Sequence, residues 1–217
     1  KIIQKLKQIG FIKAFEEVQP EYRQVIDITK DEEEILAQMK QKGRYNIKIA
    51  QKNQVEIIRN DHLDSFYKLF VETSKRDKFS IRSQKYFQDL VEALKPNDIV
   101  NVLVATYQNK PVAGAIIVFY EGRATYLYGA SANEYRNIMA PYLLHWEAIK
   151  IAKQRGCQSY DLGAVAPEDQ ENHKYTGISR FKRQFGGRTV HLVGSYDLVF
   201  KPTWYKMFKM AEKYRRK

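Results

Sequence analysis

The sequence predicts an α/β or α+β fold in which a mixed central sheet is covered by helices. Three observations predict it. Two adjacent segments between residues 61 and 95 carry apolar side chains at helical spacing. Three β-rich runs follow between 101 and 130, separated by short polar turns, and a helix, a strand and a further helix come after them.

Taken in order, "IIQKLKQIG" reads as the end of a helix stopped by Gly10, and "FIKAFEEV" and "QVIDI" as two short strands. Thr29 and Glu32 in "TKDE" form a capping-box pattern, with carboxylates crowding a first turn where the helix dipole favours them. The helix they open is expected to run through "EEILAQMKQKGRYNIKIAQK" with a bend near Gly43. On it Lys40, Arg44, Lys48 and Lys52 recur every four residues, which places four cations on one face. A solvated helix face is the ordinary reading of such a stripe. "VEIIR" is a strand. Asp61 is expected to cap a helix with Leu63, Phe66, Leu69 and Phe70 on one face, and Ser83 to cap the next, with Tyr86, Phe87, Leu90, Val91 and Leu94. The runs "NVLVATY", "VAGAIIVFY" and "ATYLYGA", joined by "QNKP" and "EGR", suit a meander. Pro141 fits a helix start, and "YLLHWEAIKIAKQRG" ends at Gly156. The strand "SYDLG", a polar loop to about Tyr175, a helix in "YTGISRFKRQFGG", the strands "TVHLV" and "YDLVF" and a basic C-terminal helix complete the chain. Residues 1–40 read as the closing pieces of a separate unit, because a strand pair and one helix cannot bury a core alone.

Composition narrows the function classes. Of 217 residues, 44% are hydrophobic, enough for a real core, which excludes a disordered basic tail. The longest apolar run, Val112–Tyr120, is broken by glycine and far too short to span a bilayer. The N-terminal "KIIQKLKQIGF" is amphipathic and does not have the form of a signal peptide. A single cysteine, Cys157, excludes an intrachain disulfide and makes a cytoplasmic setting the default. The formal charge of +12 favours anionic partners: nucleic acid, phosphate-bearing substrates or acidic lipid.

The usual catalytic inventories run short. The four histidines (62, 145, 173 and 191) are scattered without ligand spacing, so neither a metal site nor a cofactor is expected. There is no G-x-S-x-G elbow, Walker loop or dinucleotide fingerprint. Cys157, between a helix end and a strand, sits where a buried small residue is usual. The meander followed by helix, strand and helix resembles the layout of the GNAT acyltransferases. In those enzymes a glycine-rich turn opens the helix that holds the pyrophosphate of coenzyme A. Here that segment is "GASANEYRNIMAPY", with no glycine between Gly129 and the helix, which argues against coenzyme A.

Four stretches taken together, "MKQKGRYNIKIAQKNQVEI", "ETSKRDKFSIRSQKYF", "YLYGAS…APYLLHWEAIKIAKQRGCQSYDLG" and "GISRFKRQFGG", resemble the Fem-type (FemABX) peptidoglycan aminoacyltransferases over nearly the whole chain, in order. The resemblance implies two GNAT-like domains. Residues 1–40 would be the C-terminal remnant of the first, and 41–217 the second, with the C-terminal helix packing back on the first. The long coiled-coil insertion of the staphylococcal members has no counterpart, since ordinary helices occupy the region near 61–95. The implied activity transfers an amino acid from aminoacyl-tRNA to an amine in the stem peptide of a cell-wall precursor, either UDP-MurNAc-pentapeptide or a lipid-linked form. It implies site residues as well. Arg82 and Tyr86, at i and i+4, would bind the phosphate part of the precursor, with Tyr128 in the same pocket. Tyr126 and Tyr128, alternate residues of one strand, are expected to face the same side. Phe181 and Lys182 match the catalytic pair of the family, the lysine stabilising negative charge as the ester carbonyl is attacked. Asp161 in "YDLG" reads as a strand-end aspartate holding a loop, and no general base is assigned. The 29–52 stripe and the tail "KMAEKYRRK" would meet tRNA phosphates or, alternatively, an anionic membrane surface. Two rival readings stay open: a coenzyme-A-dependent GNAT N-acyltransferase, and a non-catalytic tRNA-binding module.

Overall fold

The computed structural model of the chain describes residues 1–215 except 16, 18, 61 and 171. Its elements run α1 (Ile2–Gln8), β1 (Phe11–Lys13), β2 (Tyr22–Asp27), α2 (Glu32–Gln38), α3 (Gln41–Lys52), β3 (Glu56–Arg59), α4 (Leu63–Asp77), α5 (Gln84–Leu94), β4 (Val100–Tyr107), β5 (Lys110–Tyr120), β6 (Arg123–Ser131), α6 (Ala140–Gln154), β7 (Ser159–Ala164), α7 (Thr176–Lys182), β8 (Arg188–His191), β9 (Tyr196–Leu198) and α8 (Pro202–Arg215). A seven-stranded sheet has the order β3-β4-β5-β6-β7-β2-β8, antiparallel throughout except for the parallel pair β6–β7. This is the expected α/β architecture with a mixed sheet.

Both faces of the sheet are covered, which is why β4 is buried along nearly its whole length instead of alternating. Leu103, Ala105 and Ile117 join Ile35, Ile47, Leu144 and Ile149 of α2, α3 and α6 in one core. Val102, Val104 and Ile116 join Phe66, Leu69 and Phe70 of α4 and Phe87 of α5 in the other. The meander turns are two-residue hairpins. Gln108 and Asn109 have φ of 50° and 61°, and Glu121 and Gly122 have 45° and 73°, the primed-turn pattern that matches strand twist.

Several expectations shift in detail. The helix cap near residue 30 is Asp31, whose carboxylate accepts from the Glu34 amide at 2.8 Å, not Thr29. Thr29 is engaged instead with Asp27, through its amide (2.9 Å) and its hydroxyl (2.7 Å). The single helix expected through 52 is two, broken where Met39 and Lys40 adopt extended backbone (ψ 148° each). The Arg44 guanidinium donates back to the Met39 carbonyl and to that of Ala37, closing the C-terminal end of α2. Gly43 marks no bend: it is buried in α3, where an added Cβ would lie 2.4 Å from the Gln184 carbonyl oxygen. Ser83 caps α5 as expected, accepting from the Tyr86 amide at 3.3 Å. The cap expected at Asp61 lies outside the described residues.

The boundary expected at residue 40 falls inside one sheet. β2 is hydrogen-bonded between β7 and β8, and Ile26, Ile28, Ile35 and Met39 are buried in the main core. What stands apart is smaller. β1 and β9 form a two-stranded ribbon, and Phe15 packs its ring against Tyr205 and Phe208 of α8. On this ribbon and its helices Ile2, Ile9, Phe200, Trp204, Met207 and Met210 are each more than half exposed. Among the described residues no helix is long and apolar enough to cross a membrane.

Candidate active site

The site begins with a defect in the sheet. β6 and β7 are paired only from Arg123↔Ser159 to Thr125↔Asp161, although β6 continues to Ser131 and β7 to Ala164. Beyond Thr125 the two strands part, and each carries an irregularity there. On β6, Tyr126 opposes Ile117 and Tyr128 opposes Ile116, so Leu127 is an extra residue bulged out of the ladder. On β7, Arg23↔Ala164 and Val25↔Asp161 span two steps of β2 but three of β7, and Gly163 takes φ +76°. A glycine in that conformation is what such a bulge requires.

The β6 bulge corrects one expectation. Because Leu127 is extruded, Tyr126 and Tyr128 oppose consecutive residues of β5 and face opposite sides of the sheet. Tyr126 packs with the α6 core and Tyr128 with the α4–α5 core. The Tyr126 hydroxyl fills the space a Cβ on Gly129 would need, approaching it to 1.5 Å, so Gly129 is obligatory for this ring position.

Lys182, the last residue of α7, is 7% exposed. Its ammonium donates to the Ala164 carbonyl at 2.8 Å and lies 5.8 Å from the Tyr126 ring centroid. A Cβ on Gly163 would stand 3.7 Å from this nitrogen and 3.8 Å from the Tyr126 carbonyl oxygen, which puts the charge at the parting of the strands. Burial lowers its pKa to about 8; the Arg23 charge pushes the same way and Asp161 opposes it. Phe181 anchors the helix by packing on Tyr142, His145 and Phe185. Arg183 binds the Ala166 carbonyl at 2.6 Å, and Arg180 is exposed.

Asp161 is 1% exposed and fully engaged. One carboxylate oxygen accepts from Arg23 Nε and the other from the Gly163 amide, both at 2.8 Å, so it holds the β7 turn. Arg23 is a residue that sequence reasoning passed over. The signal for it was a lone arginine inside the strand "YRQVID", two residues before the apolar pair Val25 and Ile26. His145 is buried and shares a 2.8 Å hydrogen bond with the Tyr160 hydroxyl. Burial and then the Lys182 charge hold its pKa down to about 3. The unfolded chain therefore binds a proton between pH 6.5 and 3 that the folded chain refuses. Stability from neutral His145 is present above about pH 6.5 and is lost as pH falls through that window. His145→Gln is expected to flatten the fall of unfolding free energy across it, measured by urea titration at stepped pH. The other histidines lie elsewhere: His173 accepts from the Tyr175 amide (3.1 Å), His191 stacks on Tyr22, and His62 precedes α4.

On the other face of β6, the structure brings Arg82, Tyr86 and Tyr128 together. The Tyr86 and Tyr128 hydroxyls are 3.1 Å apart, and the Arg82 guanidinium lies 5.6 Å from the Tyr86 ring centroid. Arg82 precedes the Ser83 cap, so it reaches this cluster from the loop and not from the helix face. Tyr128 is wedged against Phe70 and Phe87, and burial together with the Tyr86 hydroxyl raises its pKa to about 12. It stays a neutral phenol, able to donate and accept. The cluster and Lys182 thus flank one strand at its bulge, from opposite sides. Of the expected cationic stripe, Lys48 and Lys52 are exposed on α3, Lys40 is exposed at its N-terminal cap, and Arg44 is turned inward.

A model of the FemAB family matches residues 1–110 and 98–213. The lipid II:glycine glycyltransferase of Staphylococcus haemolyticus (strain JCSC1435) is 21% identical over 283 residues, covering 97% of this chain and 68% of the relative. That aligned stretch exceeds the 217 residues available here, so the relative carries insertions with no counterpart in this chain. A crystal structure of FemX superposes with a TM-score of 0.84 at 20% identity, covering 95% of this chain and 70% of that one. A GCN5-related N-acetyltransferase from Sphaerobacter thermophilus superposes with a TM-score of 0.53 at 11% identity, covering 88% and 53%. The fold is GNAT-like.

Proposed function

The chain belongs to the FemAB family, and from that premise we propose that it transfers an amino acid from aminoacyl-tRNA to an amine in the stem peptide of a peptidoglycan precursor. The observation that carries this reading is the buried ammonium of Lys182 at the parting of β6 and β7. Relatives named as lipid II:glycine glycyltransferases support the reaction class.

The chemistry asks little of the protein beyond placement and charge. The aminoacyl ester is already activated. The neutral amine attacks its carbonyl carbon, a C–N bond forms, and the carbonyl oxygen becomes negative. Collapse breaks the bond to the tRNA ribose oxygen, and the proton shed by the amine balances the departing alkoxide. An ammonium has three N–H donors, and the Ala164 carbonyl takes one of Lys182's, leaving others for the oxyanion. With its pKa at about 8, Lys182 is mostly charged at neutral pH and loses that charge above it. The rate is therefore expected to fall as pH rises through about 8, a descending limb that Lys182→Arg removes because guanidinium stays protonated.

In this scheme Arg82, Tyr86 and Tyr128 hold the phosphate part of the precursor, nucleotide or lipid-linked. Lys40, Lys48 and Lys52, with the C-terminal basic residues, meet tRNA phosphates or the anionic inner face of the plasma membrane, in a cytoplasmic setting. The exposed apolar surface of α1 and α8 is the face on which a first GNAT-like domain packs, with residues 1–15 and the C-terminal helix belonging to that unit.

Titration calorimetry tests the donor. Aminoacyl-tRNA is expected to bind with an affinity that falls steeply with salt, and coenzyme A to give no heat. Tight coenzyme A binding without tRNA binding would overturn the reading in favour of a thioester-dependent N-acyltransferase.

A further inference from the structure

We propose that Arg23 and Asp161 are positioning residues for Lys182 in two respects: through the glycine bulge of β7 the pair braces the Ala164 carbonyl that receives its ammonium, and it sets one charge of each sign beside that ammonium. The contacts run in an unbroken chain. Arg23 Nε donates to one oxygen of Asp161 and the Gly163 amide donates to the other, each at 2.8 Å. Gly163, held at φ +76°, turns the strand so that the next carbonyl, Ala164, faces Lys182 Nζ at 2.8 Å. Arg23 is itself the β2 residue registered opposite Ala164, so the ion pair closes the bulge from the neighbouring strand. The same peptide unit is held from its other side by the Val165 amide, which donates to the Tyr22 carbonyl of β2 at 2.9 Å, so the ion pair and this bond together direct the Ala164 carbonyl.

The same groups set the charge around Lys182. Among the described residues, Arg23 from β2, Asp161 from β7, Tyr126 from β6 and His145 from α6 are the titratable and charged groups that act on it, and Tyr160 of β7 is hydrogen-bonded to His145. Burial and Arg23 lower the proton affinity of Lys182, and Asp161 raises it. Burial keeps Tyr126 protonated up to about 12, burial and then the Lys182 charge keep His145 neutral down to about 3, and Tyr160 also stays neutral. The two members of the ion pair are therefore the ones that bear on Lys182 as charges, and they act in opposite directions.

That opposition supplies the test. In protein labelled with 13C and 15N lysine, the Lys182 resonance is assigned by its loss in Lys182→Met and titrated with pH. Arg23→Gln, which leaves Asp161 uncompensated, is expected to move the Lys182 midpoint up from about 8. Asp161→Asn, which leaves Arg23 uncompensated, is expected to move it down. A merely structural pair would loosen the site in both variants and shift both midpoints up towards the ordinary lysine value. Arg23→Lys keeps the charge and is expected to restore the midpoint, so Arg23→Lys against Arg23→Gln decides if Asp161→Asn does not fold. Equal midpoints in all variants, or an upward shift in Asp161→Asn, would overturn the proposal. Its catalytic consequence rests on the aminoacyl-transfer reading, but the titration needs no turnover and is decided independently of it.

Discussion

Lys182→Met is expected to lower turnover about 10²–10³-fold while leaving precursor affinity nearly unchanged, the pattern for one lost donor to a developing oxyanion. The methionine side chain is close in length to that of lysine and fills the same buried space beside Tyr126, so the variant should fold. Losing a buried charge that is only partly compensated even relieves a desolvation cost. The Arg82, Tyr86 and Tyr128 cluster sits on the far side of β6 and does not touch Lys182, which is why binding should survive. Single-turnover rates and equilibrium binding of a pentapeptide precursor, measured on the same preparation, separate the two effects. A rate within threefold of the natural sequence would remove Lys182 from the chemistry.

Gly187→Ala is expected to destabilise the fold by about 3 kcal/mol or more, combining left-handed backbone strain with an overpacked contact that cannot move. Gly187 has φ +74°, and a Cβ there would lie 2.3 Å from the Val25 carbonyl oxygen and 2.9 Å from Ile26 Cα. Its neighbour Gly186, at φ +75°, would bring a Cβ within 2.3 Å of the Gln38 carbonyl oxygen, and its own carbonyl is bound by Gln24 at 2.6 Å. The pair does more than stop a helix: it threads the chain from α7 between α2 and β2. Gly156→Ala is the control, because Gly156 has φ +74° but open space around it, so strain alone costs about 1–2 kcal/mol. Urea unfolding of both variants measures the difference. Equal costs would mean that the close approach to Val25 does not constrain the fold.

Much of the architecture could be read from local pattern. The α4 and α5 faces, the meander, the Pro141 start and the Gly156 stop depend on periodicity and turn chemistry that sit within a few residues of each other. What escaped depends on distant partners. The break at Met39 and Lys40 is stabilised by Arg44 and by the Gln184 carbonyl, which accepts from the Lys40 amide at 3.0 Å. Thr29 lost the cap to Asp31 because Asp27 offered it nearer partners. The bulge at Leu127 has no marker in "TYLYGA", so alternation put Tyr126 and Tyr128 on one face when they lie on two. Lys182 became a candidate only through family resemblance, since one cation among 37 has no distinguishing mark in the sequence. Its setting depends on Arg23 and Asp161, which are 138 residues apart. The position of β2 inside the main sheet was hidden for the same reason: its partners β7 and β8 come more than a hundred residues later.

The most direct measurement incubates the full-length protein with a tRNA charged with radiolabelled amino acid and a pentapeptide precursor, and follows label and mass in the precursor. The precursor is expected to gain one aminoacyl residue at a stem-peptide amine, ribonuclease treatment of the donor to abolish the gain, and Lys182→Met to slow it. No gain from any charged tRNA, or a gain that persists after ribonuclease, would contradict the proposed transfer.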